Sequence, residues 1–175
     1  MRRVLLLLGI IAVILLAGFF ALRIWTKSSS PESMALYSQD GFSIKVDYCR
    51  PYKKGRTIFG GLVPYGNVWR TGANEATVIE LGQNVDIAGK ALSAGTYSLW
   101  TIPTRENWTI IFNRETGQWG TDYNPAEDVL RVPVPAQPHN PVADQFTIMF
   151  SPETDGADML LIWDQTEVVV PIRKQ

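Results

Sequence analysis

The densest group of chemically able side chains in this sequence is Trp69-Arg70-Thr71-Gly72-Ala73-Asn74-Glu75. A guanidinium, a carboxamide and a carboxylate beside an indole can line a small polar pocket, the arginine gripping an anion and the ring offering an apolar face. The same groups can equally cap loop backbone and pair with each other. Upstream, Lys45, Arg50, Lys53, Lys54 and Arg56 put five positive charges in twelve residues, opposed only by Asp47. That cluster reads either as an anion site (carboxylate, phosphate or lipid headgroup) or as a solvated turn whose arginines pair with Glu75 or Asp47. The candidate ligand- or partner-binding residues are therefore Arg50, Arg56, Trp69, Arg70, Asn74 and Glu75.

Catalysis finds less support. The one imidazole, His139, sits in Pro138-His139-Asn140-Pro141, which reads as a connection between strands, and no nucleophile motif accompanies it. The one cysteine, Cys49, ends a strand beside Arg50 and reads as a half-buried structural thiol. A single Cys excludes an intramolecular disulfide framework and multi-Cys zinc or iron–sulfur sites, and a single His excludes a multi-His metal cage. Glu153, Asp155 and Asp158 around Gly156 miss the spacing of an EF-hand loop and read as an acidic hairpin turn. No catalytic residue, metal or cofactor is assigned, and the chain is expected not to be an enzyme.

The elements that must position these residues are mostly strands. Phe42, Ile44, Val46 and Tyr48 alternate with Ser43, Lys45, Asp47 and Cys49, the period of a half-buried strand. Short runs at 76–81, 84–87, 97–102, 108–113, 129–134, 146–150, 159–163 and 168–172 follow, with turn residues between them. Pro103 to Asn107 reads as a hairpin loop, and Pro133 favours an edge position because proline cannot donate to a ladder. The expectation is an all-β domain over 34–175, a β-sandwich or jelly-roll-like fold of about eight or nine strands. Trp100, Trp108, Trp119 and Trp163, with Phe112, Phe146 and Phe150, are its expected aromatic core. Residues 50–75 are too rich in Gly, Pro and charge for a strand pair, yet hold enough large apolar residues to read as an ordered, packed loop.

Val4 to Leu22 contains no charged or strongly polar side chain. Nineteen helical residues cover ~28 Å, close to the ~30 Å hydrocarbon core of a bilayer. The run is longer than a signal-peptide core and Ala21-Leu22-Arg23 is a poor cleavage site, so an uncleaved single transmembrane helix over 1–25 is expected, followed by a polar spacer at 26–33. Arg2 and Arg3 favour a cytoplasmic N-terminus, with the domain on the periplasmic side of a bacterial inner membrane and Trp25 at the outer interface. Ala17 and Ala21 form one small-xxx-small step at which another helix could pack. The chain has 16 Lys and Arg and 17 Asp and Glu; four of the basic residues fall in the first 27, leaving 12 against 17, a net of −5. That balance excludes general nucleic-acid binding. The 175-residue length suits one domain plus an appendage, and 11% aromatics exclude disorder.

The strings Asp47-Tyr48-Cys49-Arg50-Pro51, Gly55 to Gly66, Val68 to Thr77, Ala94 to Pro103, Trp108 to Asn113 and Gln118-Trp119-Gly120 resemble the bacterial family called domain of unknown function 2911. So do Asp128 to Val132, Trp163-Asp164 and Val170-Pro171-Ile172. The resemblance covers nearly all of the domain. It implies an exported or envelope β-rich domain and no particular activity. Members often follow a signal peptide, so this chain resembles a variant with a retained anchor. The combined expectation is an accessory or structural subunit of a larger membrane complex, respiratory, photosynthetic or secretory, whose partners are the other subunits and the lipid bilayer. The alternative is a membrane-tethered binding module for a carbohydrate or small anion. An envelope hydrolase ranks third.

Overall fold

The structure, a computed structural model, describes residues 2–175, with the side chains of residues 2–7 and 21–26 outside the described set. One helix, α1 (Arg2–Ser29), precedes nine strands: β1 (Glu32–Gln39), β2 (Phe42–Cys49), β3 (Thr77–Leu81), β4 (Val85–Ile87), β5 (Lys90–Leu92), β6 (Gly95–Pro103), β7 (Asn107–Asn113), β8 (Asp128–Glu153) and β9 (Gly156–Lys174). A 3₁₀ turn at Pro125–Glu127 starts with the Asn124 side chain accepting from the Ala126 amide.

The nine strands form one antiparallel sheet in the order β1-β2-β3-β6-β7-β8-β9-β4-β5. A single continuous sheet thus stands where two sheets of a sandwich or jelly roll were expected. The reason lies in β8 and β9. Each joins two runs that read as separate strands in the sequence. The first part of β8 pairs with β7 and its remainder with β9. Between Pro138 and Thr147, β8 takes nine steps where β9 takes four, from Thr166 to Ile162. Those extra residues bulge and bend the strand, so the sheet turns over its own core. Tyr37 on β1 then donates to the Gly156 carbonyl at 2.8 Å, and Tyr48 on β2 to that of Ile148 at 3.2 Å, closing β1 and β2 against the β8–β9 hairpin. Pro133 pairs with Thr109 on one side only, because β9 meets β8 from Ala136 onward; its missing N–H faces an open edge.

The core follows the alternation. Phe42, Ile44, Val46 and Tyr48 are buried, as are Val132, Val134, Phe146 and Ile148 of β8 and Met159, Leu161 and Trp163 of β9. At its centre Phe59, Trp69, Trp108, Phe146 and Trp163 pack ring to ring at 4.9–6.2 Å. Trp100 packs separately with Ala76 and Ile111. Two expected core aromatics differ: Trp119 is 42% exposed and Phe150 is only partly buried. Trp119 lies outside the strands, on a bridge to Glu75, where the sheet does not cover it.

The helix continues to Ser29 and β1 opens at Glu32, so Ser30 and Pro31 replace the longer flexible spacer expected at 26–33. Pro31 ends the helix, since residues before a proline are pushed toward extended backbone. The junction is tied to the domain. Lys27 bonds Glu32 and lies 3.6 Å from Glu75, Lys54 donates to Ser29 Oγ at 3.3 Å, and the Arg50 amide donates to the Pro31 carbonyl at 2.8 Å. Among the described residues no helix is long and apolar enough to cross a membrane. The expected span includes residues 4–7 and 21–22, and its flanks include Arg2, Arg3, Arg23 and Trp25; these side chains lie outside the described set, as does Ala21 of the helix-packing step.

Candidate functional site: a basic cleft at the helix–sheet junction

The 50–76 segment is ordered by the sheet it crosses. Trp69 pairs with Thr101 of β6 through both backbone bonds, 2.7 and 2.9 Å, and Tyr52 bridges to Gln145 of β8. Ile58 and Val63 are buried beneath it. The turn after Trp69 is tight. Gly72 passes so close to Cys49 and Thr77 that a Cβ there would lie 3.0 Å from the Cys49 carbonyl and Thr77 Oγ1. Thr71 and Asn74 take positive φ, 52° and 61°, a conformation Asn accepts more readily than most residues. Thr71 Oγ1 donates to Thr101 Oγ1, and Thr77 Oγ1 donates to the Thr71 carbonyl at 2.8 Å.

This turn walls a cleft of about 520 Å3. Lys54, Arg56, Arg70 and Asn74 supply its polar lining, Trp69 and Trp163 its aromatic lining, and Ser29 and Ser30 from the end of α1 close one side. Among the described residues no carboxylate lines it. Arg70 is half-buried, and burial pulls its pKa below the ordinary value. Its Nη1 donates to the Asn74 carbonyl at 3.3 Å, and no acid pairs with it among the described residues. Its side chain passes over Gly120, where any Cβ would overlap the Arg70 Cδ. The Trp163 Nε1 and Asn74 Nδ2 atoms are buried with no hydrogen-bond acceptor.

Of the six residues singled out from the sequence, Arg56, Trp69, Arg70 and Asn74 meet in this cleft. Trp69 forms its inner wall, with Nε1 donating to the Gly72 carbonyl at 3.1 Å. Arg56 is exposed at the rim and also caps its own turn, donating to the carbonyls of Lys53 (3.0 Å) and Tyr52 (2.5 Å). Arg50 and Glu75 lie elsewhere. Arg50 fastens β2 to β8, donating to the Phe146 carbonyl at 3.1 Å and to Thr147 Oγ1 at 2.7 Å. Glu75 faces a second cleft of about 680 Å3, with Lys27, Glu32, Asp47 and Cys49. Lys54 and Trp163 complete the basic cleft. Lys54 belongs to the charge cluster visible in the sequence; Trp163 lies on β9 and carries no local signal of this role.

The remaining reactive groups are engaged. Cys49 is buried, and its thiol donates to Glu75 Oε2 at 3.8 Å. Desolvation pushes the thiol pKa up and the Glu75 charge adds to this, while the nearby Asn74 amide tempers the rise through a contact too weak to satisfy its Nδ2. Such a thiol stays protonated and is a poor nucleophile. His139 sits within β8 rather than in a connecting loop, because the bulged strand continues through both prolines; its Nδ1 lies 2.9 Å from Glu167 on β9. Asp158 pairs with Arg173 at 2.7 Å beside the acidic turn between β8 and β9. Among the described residues no group of three or more His, Cys, Asp or Glu could hold a metal ion.

Residues 30–172 match the family described as "Protein of unknown function (DUF2911)". The chain belongs to the DUF2911 family. Neither a curated protein nor a solved structure matches it. The match begins just after α1 and ends in β9, so the DUF2911 region contains nearly all of the sheet and, apart from Ser29, the residues of the basic cleft.

Proposed function

We propose that this DUF2911 protein is a non-catalytic, single-pass membrane protein that acts as an accessory or structural subunit of a larger bacterial inner-membrane complex. Its N-terminus is cytoplasmic and its β domain periplasmic. The observation that carries the reading is the helix. Leu8, Ile10, Ile11, Val13, Ile14, Leu15, Leu16, Phe19 and Phe20 are each 52–68% exposed. An apolar surface on every side of a helix suits lipid or neighbouring helices and does not suit water. The short, bonded junction supports the same reading, since it holds the domain at a fixed place beside the helix end. The engaged state of Cys49 and His139 supports a role without turnover.

The test is extraction of native membranes with a mild detergent, size separation, and mass spectrometry of the species that travel with this chain. A subunit co-migrates with one large complex at fixed stoichiometry. A chain that migrates alone, near its own mass plus a micelle, overturns the proposal.

A second reading, a membrane-tethered binding module for a small anion or carbohydrate, is favoured by one observation: three cationic side chains around a cleft whose lining, among the described residues, includes no acid. The two readings are compatible, because a subunit can also hold a ligand.

A further inference from the structure

We infer that the basic cleft is a receptor site for a phosphate-class oxyanion carried on a larger organic body, an inference that rests on the binding-module reading. Lys54 and Arg56 stand on one side of the cleft, on the turn after β2, and Arg70 comes from the segment after Trp69. Arg70 is the informative member. A half-buried guanidinium with five N–H donors, only one of them placed on a protein carbonyl, and no carboxylate partner has given up hydration without gaining a counter-ion. An anion in the cleft supplies it. Lys54 and Arg56, both exposed, add two more cationic side chains to the same lining.

The charged side chains of the lining are therefore all cationic. A tetrahedral oxyanion accepts on several oxygens and can bond cations on different arms at once, whereas a planar carboxylate satisfies one fork. A neutral sugar gains nothing from the net positive charge of this lining, whereas an oxyanion does. The apolar lining of Leu62, Val63, Trp69 and Trp163 fits the organic body beside the oxyanion. Ser29 and Ser30 put the cleft at the end of α1, so a phospholipid headgroup and a free phosphate ester are both within reach of the same chemistry.

The test uses the full chain in an uncharged detergent. Inorganic phosphate, glycerol 3-phosphate, phosphatidylglycerol and maltotriose are titrated while tryptophan emission is followed, with native mass spectrometry to count bound lipid. Saturable binding of at least one phosphate probe is expected, weakened about tenfold or more by Arg70→Gln, as for loss of a charge-assisted bond. The exposed Lys54→Gln gives a smaller loss without risk to the core, and Lys45→Gln, which removes a charge remote from the cleft, gives none. Phosphatidylglycerol alone binding identifies a lipid source; the soluble probes binding equally well identify a free ester. Equal losses in Lys45→Gln and Lys54→Gln mean diffuse attraction and overturn the site. Maltotriose binding where phosphates fail overturns the oxyanion class but leaves the binding module standing. No binding by any probe overturns both.

Discussion

Trp69 and Trp163 stack with centroids 5.8 Å apart and planes 20° from parallel, and this contact joins the loop that carries Arg70 and Asn74 to the last strand of the sheet. Both rings face the aromatic core on one side and line the basic cleft on the other. The cleft's shape is thus set by core packing and not by the loop alone.

The two rings differ in what their nitrogens do, and substitution should separate them. Trp69 Nε1 satisfies the Gly72 carbonyl, while Trp163 Nε1 has no acceptor. Trp69→Phe leaves a buried carbonyl unpaired, at a cost of about 1–3 kcal/mol beyond the smaller ring. Trp163→Phe removes an orphan donor and is expected to cost less. Either Trp→Ala change costs about 3–5 kcal/mol. Thermal unfolding of the full chain in detergent orders the variants; Trp163→Phe emerging as the more damaging of the two Phe variants would refute the assignment.

Gly120 is a second lever. A Cβ there meets the Arg70 side chain, which can move, and the Asn74 carbonyl at 2.7 Å, which is backbone and moves at a cost. Gly120→Ala is expected to destabilise by about 1–3 kcal/mol through overpacking. A double-mutant cycle with Arg70→Ala should recover part of that loss, because one of the two clashes is gone. Strict additivity would mean that Arg70 does not lie over Gly120 in solution.

Much of the sheet is legible locally, and the exceptions have physical causes. The β2 alternation and the 103–107 hairpin depend on neighbours in sequence, so the period of two reveals them. Pro135, Pro138 and Pro141 break the pattern of β8 into pieces, although bulges absorb them and the strand runs on. β1 escapes notice because Met34 and Leu36 on its outer face are as apolar as Ala35 and Tyr37 on its inner face, leaving no contrast to read. In the site, Arg70 and Asn74 are recognisable as a polar group beside Trp69. Which of Arg50, Arg56 and Glu75 joins them depends on the path of the backbone after β2, and Trp163 comes from 94 residues away, beyond any spacing rule.

Leu15 tests the helix. It is 68% exposed near the middle of the apolar run. Leu15→Arg is expected to lower membrane integration by about 2.5–3.5 kcal/mol, the apparent cost of arginine at a helix centre. The assay is the fraction of chain retained in membranes after an alkaline carbonate wash, against Leu15→Phe as an apolar control. Retention of both variants at the parent level would remove the basis for a spanning helix.

Alkaline stability should report two protons, one on the buried Cys49 thiol and one on the partly buried Tyr123 phenol. Burial foremost raises the Cys49 thiol above its ordinary 9.0, and burial with the Asp128 carboxylate raises the Tyr123 phenol from 10.0 to about 12. Both folded-state values lie above the unfolded ones, so the folded chain holds these protons more tightly. The associated stability is complete below pH 9.0 and is lost as pH climbs, first through the thiol and then between pH 10.0 and about 12 through the phenol. Cys49→Ala should flatten the earlier part of the decline. Tyr123→Phe should flatten the later part, from a lower starting point, because it also removes bonds of 2.6 Å to Asp128 and 2.8 Å to Arg131. Unfolding midpoints measured from pH 7 to 12 decide the matter: slopes unchanged by both substitutions would mean that neither proton is held as the structure requires.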